Sequence, residues 1–181
     1  MGWTGTVNPY KTVDEFFDNE FKGGKCQFVG KGAVVNLSEY YRCMEDTETG
    51  ERFVLVCKLS LKPQDGCNIF YKDMTENMYP YYFNCPAKIL AEAEKTPART
   101  EDGRRWREKV HEVLSLKARA KQVKFGSKIK FKEPLAFGNG YKEDTFLVKR
   151  YGKRGFMFVS MNHGFYARIS NWRTREFEFV S

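Results

Sequence analysis

The stretch Lys128-Ile129-Lys130-Phe131-Lys132 alternates cation and apolar residue without a break. Successive side chains leave a strand on opposite sides, so period two marks a strand with one buried face. Three ammonium groups therefore share the outward face, while Ile129 and Phe131 enter a core. The same period recurs downstream between turn signals at Asn139-Gly140, Gly152-Lys153-Arg154-Gly155 and Asn162-His163-Gly164. Short strands are predicted at 128–133, 144–151, 155–161, 165–170 and 175–180. Five of them in so short a segment predict a small SH3-like β-barrel over 123–181.

Working upstream, a helix is predicted from about 101 to 118, capped by Thr100. Glu101 and Asp102 suit the positive end of its dipole. Trp106, Val110, Val113, Leu114 and Lys117 fall on one face at helical spacing. The segment 95–103 before it reads as a linker. Further back, Thr12-Val13-Asp14-Glu15 is a capping-box signature opening a helix that carries Phe16, Phe17 and Phe21, stopped by Gly23-Gly24. Strands are predicted at 26–29, 33–37, 39–45, 51–60 and 67–72, with turns at Thr47-Glu48-Thr49-Gly50 and Pro63-Gln64-Asp65-Gly66. A second short helix begins at Pro86, with Asn84 or Cys85 as cap and Ile89, Leu90 and Ala93 on its apolar face. The expected fold class is α+β: an antiparallel sheet with helices (1–96), a linker and basic helix (97–122), then the small barrel (123–181).

Composition adds a direction to this plan. The chain has 181 residues, 31 Lys+Arg against 23 Asp+Glu, and a formal net charge of +8. The excess is local: residues 1–100 hold 12 basic and 14 acidic side chains, residues 101–181 hold 19 and 9. A basic C-terminal part suits an anionic partner. The opening residues lack a signal pattern and no apolar run is long enough to span a bilayer, so a cytoplasmic protein without a membrane partner is expected. The five cysteines (Cys26, Cys43, Cys57, Cys67, Cys85) form no CxxC pair and read as reduced core thiols.

The sequence lacks GxSxG, HExxH, GxxxxGK[ST] and GxGxxG patterns. His111 and His163 read as incidental, and the cysteine and histidine spacing gives no zinc site, so neither a catalytic residue, a metal nor a cofactor is expected. Asp73 with Glu76 is a close acidic pair that leaves a magnesium-dependent nuclease as a third alternative, and Glu20 with Lys22 gives an ExK fragment on a helix. The basic residues are more coherent. The expected partner-binding set is Arg104, Arg105, Lys121, Lys124, Lys128, Lys130, Lys132, Lys149, Arg150, Lys153, Arg154, Trp172, Arg173 and Arg175. Such a set neutralises phosphates without reading sequence, and Tyr141, Tyr151 and Trp172 could stack on bases. The alternative is that the rings are barrel core and the lysines a solvated face.

The block from Tyr71-Lys72-Asp73-Met74 through Tyr79-Pro80-Tyr81-Tyr82 to Cys85-Pro86 and Ile89-Leu90 is distinctive. With the opening Met1-Gly2-Trp3-Thr4 and the closing Ile169-Ser170-Asn171-Trp172-Arg173, it resembles a family of bacteriophage and mobile-element proteins. The resemblance implies a phage counter-defence protein, an anti-CRISPR inhibitor of a type II effector nuclease. Its partners would be the guide-loaded effector, DNA or RNA, in the bacterial cytoplasm. A +8 chain is a poor mimic of DNA, so such an inhibitor would engage nucleic acid or an acidic patch of the effector. The alternative is a non-enzymatic nucleic-acid-binding phage accessory protein.

Overall fold

A computed structural model describes residues 3–7, 10, 12–64, 67–75, 82–138, 140–153 and 155–181, with backbone only at 61–64 and 67. The turn expected at Asp65-Gly66, the side chains of Cys67 and Glu76, the middle of the Tyr71–Pro86 block, Asn139 and Arg154 lie outside the described residues. The architecture is α+β, with two open five-stranded antiparallel sheets and three α-helices among the described residues. The chain divides into two compact units, Met1–Glu112 and Val113–Ser181. No helix among the described residues is long and apolar enough to cross a membrane.

In the first unit the strands are β1 (Thr4–Thr6), β2 (Cys26–Val35), β3 (Glu39–Asp46), β4 (Arg52–Gln64) and β5 (Cys67–Asp73), in the order β1-β5-β4-β3-β2. The segments expected separately at 26–29 and 33–37 are one strand, β2, with a register shift between Val29 and Ala33. Helix α1 (Val13–Glu20) begins where the cap predicts: the Glu15 amide donates to Thr12 Oγ1 at 3.0 Å. It buries Phe16 and Phe17 against Tyr40, Met44, Leu55, Cys57 and Ile69 on one face of the sheet. Alternation puts Tyr41, Cys43, Val54 and Val56 on the opposite face, where α2 (Ala87–Ala93) packs over β3 and β4 with Ile89, Leu90 and Ala93 buried.

One glycine in β2 is fixed by close approach. A Cβ on Gly32 would collide with Cε2, Cζ and the hydroxyl oxygen of Tyr40, which is fully buried and whose hydroxyl donates to Asp14 Oδ1 at 2.6 Å. The ring cannot retreat without losing that bond and its stack on Phe17 (5.4 Å, 16°). Gly32→Ala should therefore cost about 2 kcal/mol as overpacking, seen as a lowered denaturant midpoint with an unchanged m-value.

Helix α3 (Glu101–Ala120) starts where expected, the Gly103 amide donating to Thr100 Oγ1 at 3.0 Å. Its first twelve residues join the first unit, where Trp106 and Val110 are buried and Trp106 Nε1 donates to the Tyr82 carbonyl at 3.0 Å. Its last eight belong to the second unit. The helix expected as part of a separate 97–122 segment is thus divided between the two cores.

The second unit contains β6 (Lys128–Ala136), β7 (Lys142–Tyr151), β8 (Gly155–Ser160), β9 (Tyr166–Ala167) and β10 (Phe177–Val180). A single 3-10 turn at Trp172–Thr174 precedes β10. The order is β10-β6-β7-β8-β9, every pairing antiparallel. The sheet is open: β9 and β10 lie at its two edges, so the barrel expected from strand count is not closed. One reason is visible in β9, which pairs over two residues where 165–170 was expected as a full strand. The inward face packs Ile129, Phe131, Phe146, Val148, Phe158 and Phe177 around Trp172, with Ala120 and Val123 at the helix exit.

Candidate nucleic-acid interface

Register fixes the outward face of the second sheet row by row. Lys128, Leu147, Val159 and Tyr166 stand side by side across β6, β7, β8 and β9, with Val180 of β10 beyond Lys128. The next row is Glu178, Lys130 and Thr145. On the other side of the central row come Lys149 beside Met157, then Tyr151 beside Gly155. Arg168, two residues past Tyr166, shares its side, and its guanidinium lies 4.2 Å from the Tyr151 ring centroid. Lys149 Nζ lies 6.0 Å from the centroid of Tyr166. Half-buried Leu147, Met157 and Val159 form the floor between these cations and rings.

The electrostatics are soft enough for exchange with an anionic ligand. Lys130 faces Asp144 at 3.8 Å and Lys132 faces Glu176 at 2.6 Å, while Lys128 Nζ donates to the Ser181 carbonyl at 3.2 Å. These lysines are exposed, and exposed pairs contribute about 0–1 kcal/mol. Phosphate oxygens can displace such partners at little cost.

The turn between β8 and β9 is held from beneath by a buried carboxylate. Glu143 is 2% exposed and accepts hydrogen bonds from the Ser160 hydroxyl, the amides of Asp144 (3.0 Å), Thr145 (3.0 Å) and Asn162 (3.1 Å), and Asn162 Nδ2 (2.9 Å). Burial alone would push this carboxyl up, but these donors outweigh burial and hold it below the ordinary glutamate value. A depressed folded-state value means a contribution present above the unfolded pKa, about 4.3, and lost as pH falls through the folded one. Glu143→Gln turns an amide N–H toward donors. It should lower stability at neutral pH by about 2 kcal/mol and flatten the acid limb of a stability–pH profile.

The sequence-expected set does not converge on one place. Lys128, Lys130, Lys132 and Lys149 share the outward face. Arg150 has the opposite parity on β7: its guanidinium lies 5.2 Å from the Phe125 ring, and Phe125 packs on Phe156. Arg173 joins that inward-side edge, 4.7 Å over Trp172 and 6.0 Å over Phe156. Lys121, Lys124, Lys153 and Arg175 are exposed around the rim. Arg104 and Arg105 lie in the first unit, both paired with Glu101. Trp172 is corrected: 5% exposed and in contact with Phe156, Phe158 and Phe177, it is core and presents no ring face to a base.

Tyr166 and Arg168 stand on this same face, and sequence reasoning passed over them. The signal was present: Phe165 and Ala167 turn inward while Tyr166 and Arg168 are exposed, the same period two that marks β6. Tyr141 stacks on His163 at 4.4 Å rather than standing alone. His111 Nε2 meets Glu94 Oε1 at 2.6 Å. Asp73 accepts the Thr75 amide at 2.9 Å, as an Asx turn does, and Asp18 is 2.7 Å from the nearly buried Arg42. Burial pushes the Cys43 and Cys57 thiols up to about 11 and about 12, so they stay protonated and pack as small hydrophobes.

A domain family of unknown function, DUF6927, matches residues 97–172. The matched span takes in α3 and runs through β9 to the start of the 3-10 turn, so it holds most of the basic outward face and stops short of β10. No curated protein and no solved structure matches the chain.

Proposed function

We propose that the protein is a non-enzymatic nucleic-acid-binding protein whose C-terminal sheet grips the sugar-phosphate backbone through Lys128, Lys130, Lys149 and Arg168. The supporting observation is the shared outward face: Lys128 and Lys130 on β6, Lys149 and Tyr151 on β7, Tyr166 on β9 and Arg168 just past it, with Glu178 in the Lys130 row and Asp144 against Lys130 as the nearby acids. Cations so placed release counterions on binding and give affinity that falls steeply with salt. Strands β6 and β7 hold the three lysines at fixed spacing, which a flexible basic tail does not.

The strand order supports a finer reading of this unit as SH3-like: consecutive hairpins, a last strand returning to the first, and a 3-10 turn just before it. That topology hosts many binding functions, so it favours a binding module without naming the ligand.

The narrower proposal, inhibition of a type II CRISPR effector in the bacterial cytoplasm, rests only on the family resemblance of the Tyr71–Leu90 block and the two chain ends. It would place this same face on guide or target strand.

Two measurements test the readings separately. Titration of a labelled oligonucleotide against salt should give a log–log slope of about −3 to −4; no binding at low salt overturns the nucleic-acid reading. Plating of a targeted phage on cells with a type II system tests the defence reading. Rescue by the expressed protein supports it, and no rescue with soluble protein present overturns it for that system.

A further inference from the structure

We infer that the outward face takes single-stranded rather than duplex nucleic acid, with Tyr166 and Tyr151 as the rings on which unpaired bases stack. The inference rests on the nucleic-acid reading above.

Tyr166 is 63% exposed and Tyr151 46%, on the same side of the sheet as the lysines. Large rings at that exposure do nothing for the core, which is complete on the inward face around Trp172. Each ring has a cation over one face, Lys149 over Tyr166 and Arg168 over Tyr151. A base can stack on the uncovered face of such a ring or on the guanidinium plane itself, and its phosphate then meets the charge.

The placement then selects strandedness. Tyr166 stands on the edge strand in the Lys128 row, and Tyr151 stands two rows away on β7. From Lys128 to Tyr166 is three strand spacings, about 14 Å. Bases in a duplex are stacked on one another, and their faces are reachable only at its ends. Two rings set apart on an open sheet can both be used only by a strand whose bases are splayed out. The open edge at β9 leaves such a strand an exit past Tyr166.

The measurement is fluorescence anisotropy on the full chain with three probes of about 20 residues, oligo(dT), oligo(rU) and a mixed-sequence duplex, at about 0.1 M salt. At least one single strand should bind about tenfold or more tighter than duplex. Comparison of the two single-stranded probes then shows which sugar is preferred. Tyr166→Ala should weaken single-strand binding by about fivefold to a hundredfold, leave the salt slope and duplex affinity in place, and melt like the parent. Tyr166→Phe, which keeps the ring, should bind as the parent does. Equal affinity for duplex and single strand with Tyr166→Ala silent overturns the inference and leaves lysine-dependent binding standing. No binding to any probe overturns both.

Discussion

Glutamine at Lys128, Lys130, Lys149 and Arg168 together should lower affinity for nucleic acid about a hundredfold at 0.1 M salt and reduce the salt slope by about 3. Each phosphate contact contributes about 0.7 to the slope for a single strand. Four contacts at 0.1 M correspond to a factor on the order of several hundred, and the Asp144 partner of Lys130 trims that figure. All four side chains point away from the core, so the fold should hold within the usual limits of surface substitution, about 0.5 kcal/mol each. The informative control is Arg104→Gln with Arg105→Gln. Those two cations are as exposed as the lysines and as weakly paired, with Glu101, but they lie in the first unit and off the sheet face. If the control pair weakens binding as much as the quadruple change, the charge acts as a diffuse field and the sheet face is not the site.

Local signals in the sequence reached as far as local physics decides structure. The α1 and α3 starts were legible because a hydroxyl three residues before a free amide has one obvious use, and Thr12 and Thr100 both make it. The alternation at 128–132 gave β6 and its outward lysines. Strand β1 was not legible: Thr4-Gly5-Thr6 has no apolar pattern and is a strand because β5 pairs with it. Tertiary pairing, not propensity, decides such a segment. The barrel closure was over-read for the converse reason, since strand count says nothing of whether the edges meet. On the candidate face, the alternation placed the β6 lysines outward but said nothing of their neighbours. Arg150 and Lys149 are neighbours in sequence and point to opposite sides of β7, so a basic run is not a basic patch. Trp172 beside Arg173 and Arg175 looked like a stacking ring, yet two of the rings that bury it, Phe156 and Phe158, lie on β8, outside its local window.

Trp172→Ala should therefore abolish binding by unfolding the second unit rather than by removing a contact. The indole meets Phe156 at 5.4 Å, Phe158 at 5.5 Å and Phe177 at 6.2 Å, and its truncation empties the centre of the core. Such truncations cost about 3–5 kcal/mol. A unit of 69 residues, Val113–Ser181, has little more than that to lose. The expected result is loss of its cooperative thermal transition while that of the first unit persists. Trp172→Phe refills most of the space and keeps the edge contacts with Phe156 and Phe158, so it should fold and bind close to the parent. The pair of variants separates the two roles a tryptophan could have here. A Trp172→Ala protein that melts like the parent yet fails to bind would put the ring back at the interface. One that loses its transition and its binding together places the indole where the packing has it, beneath the face that Tyr166 and the lysines present.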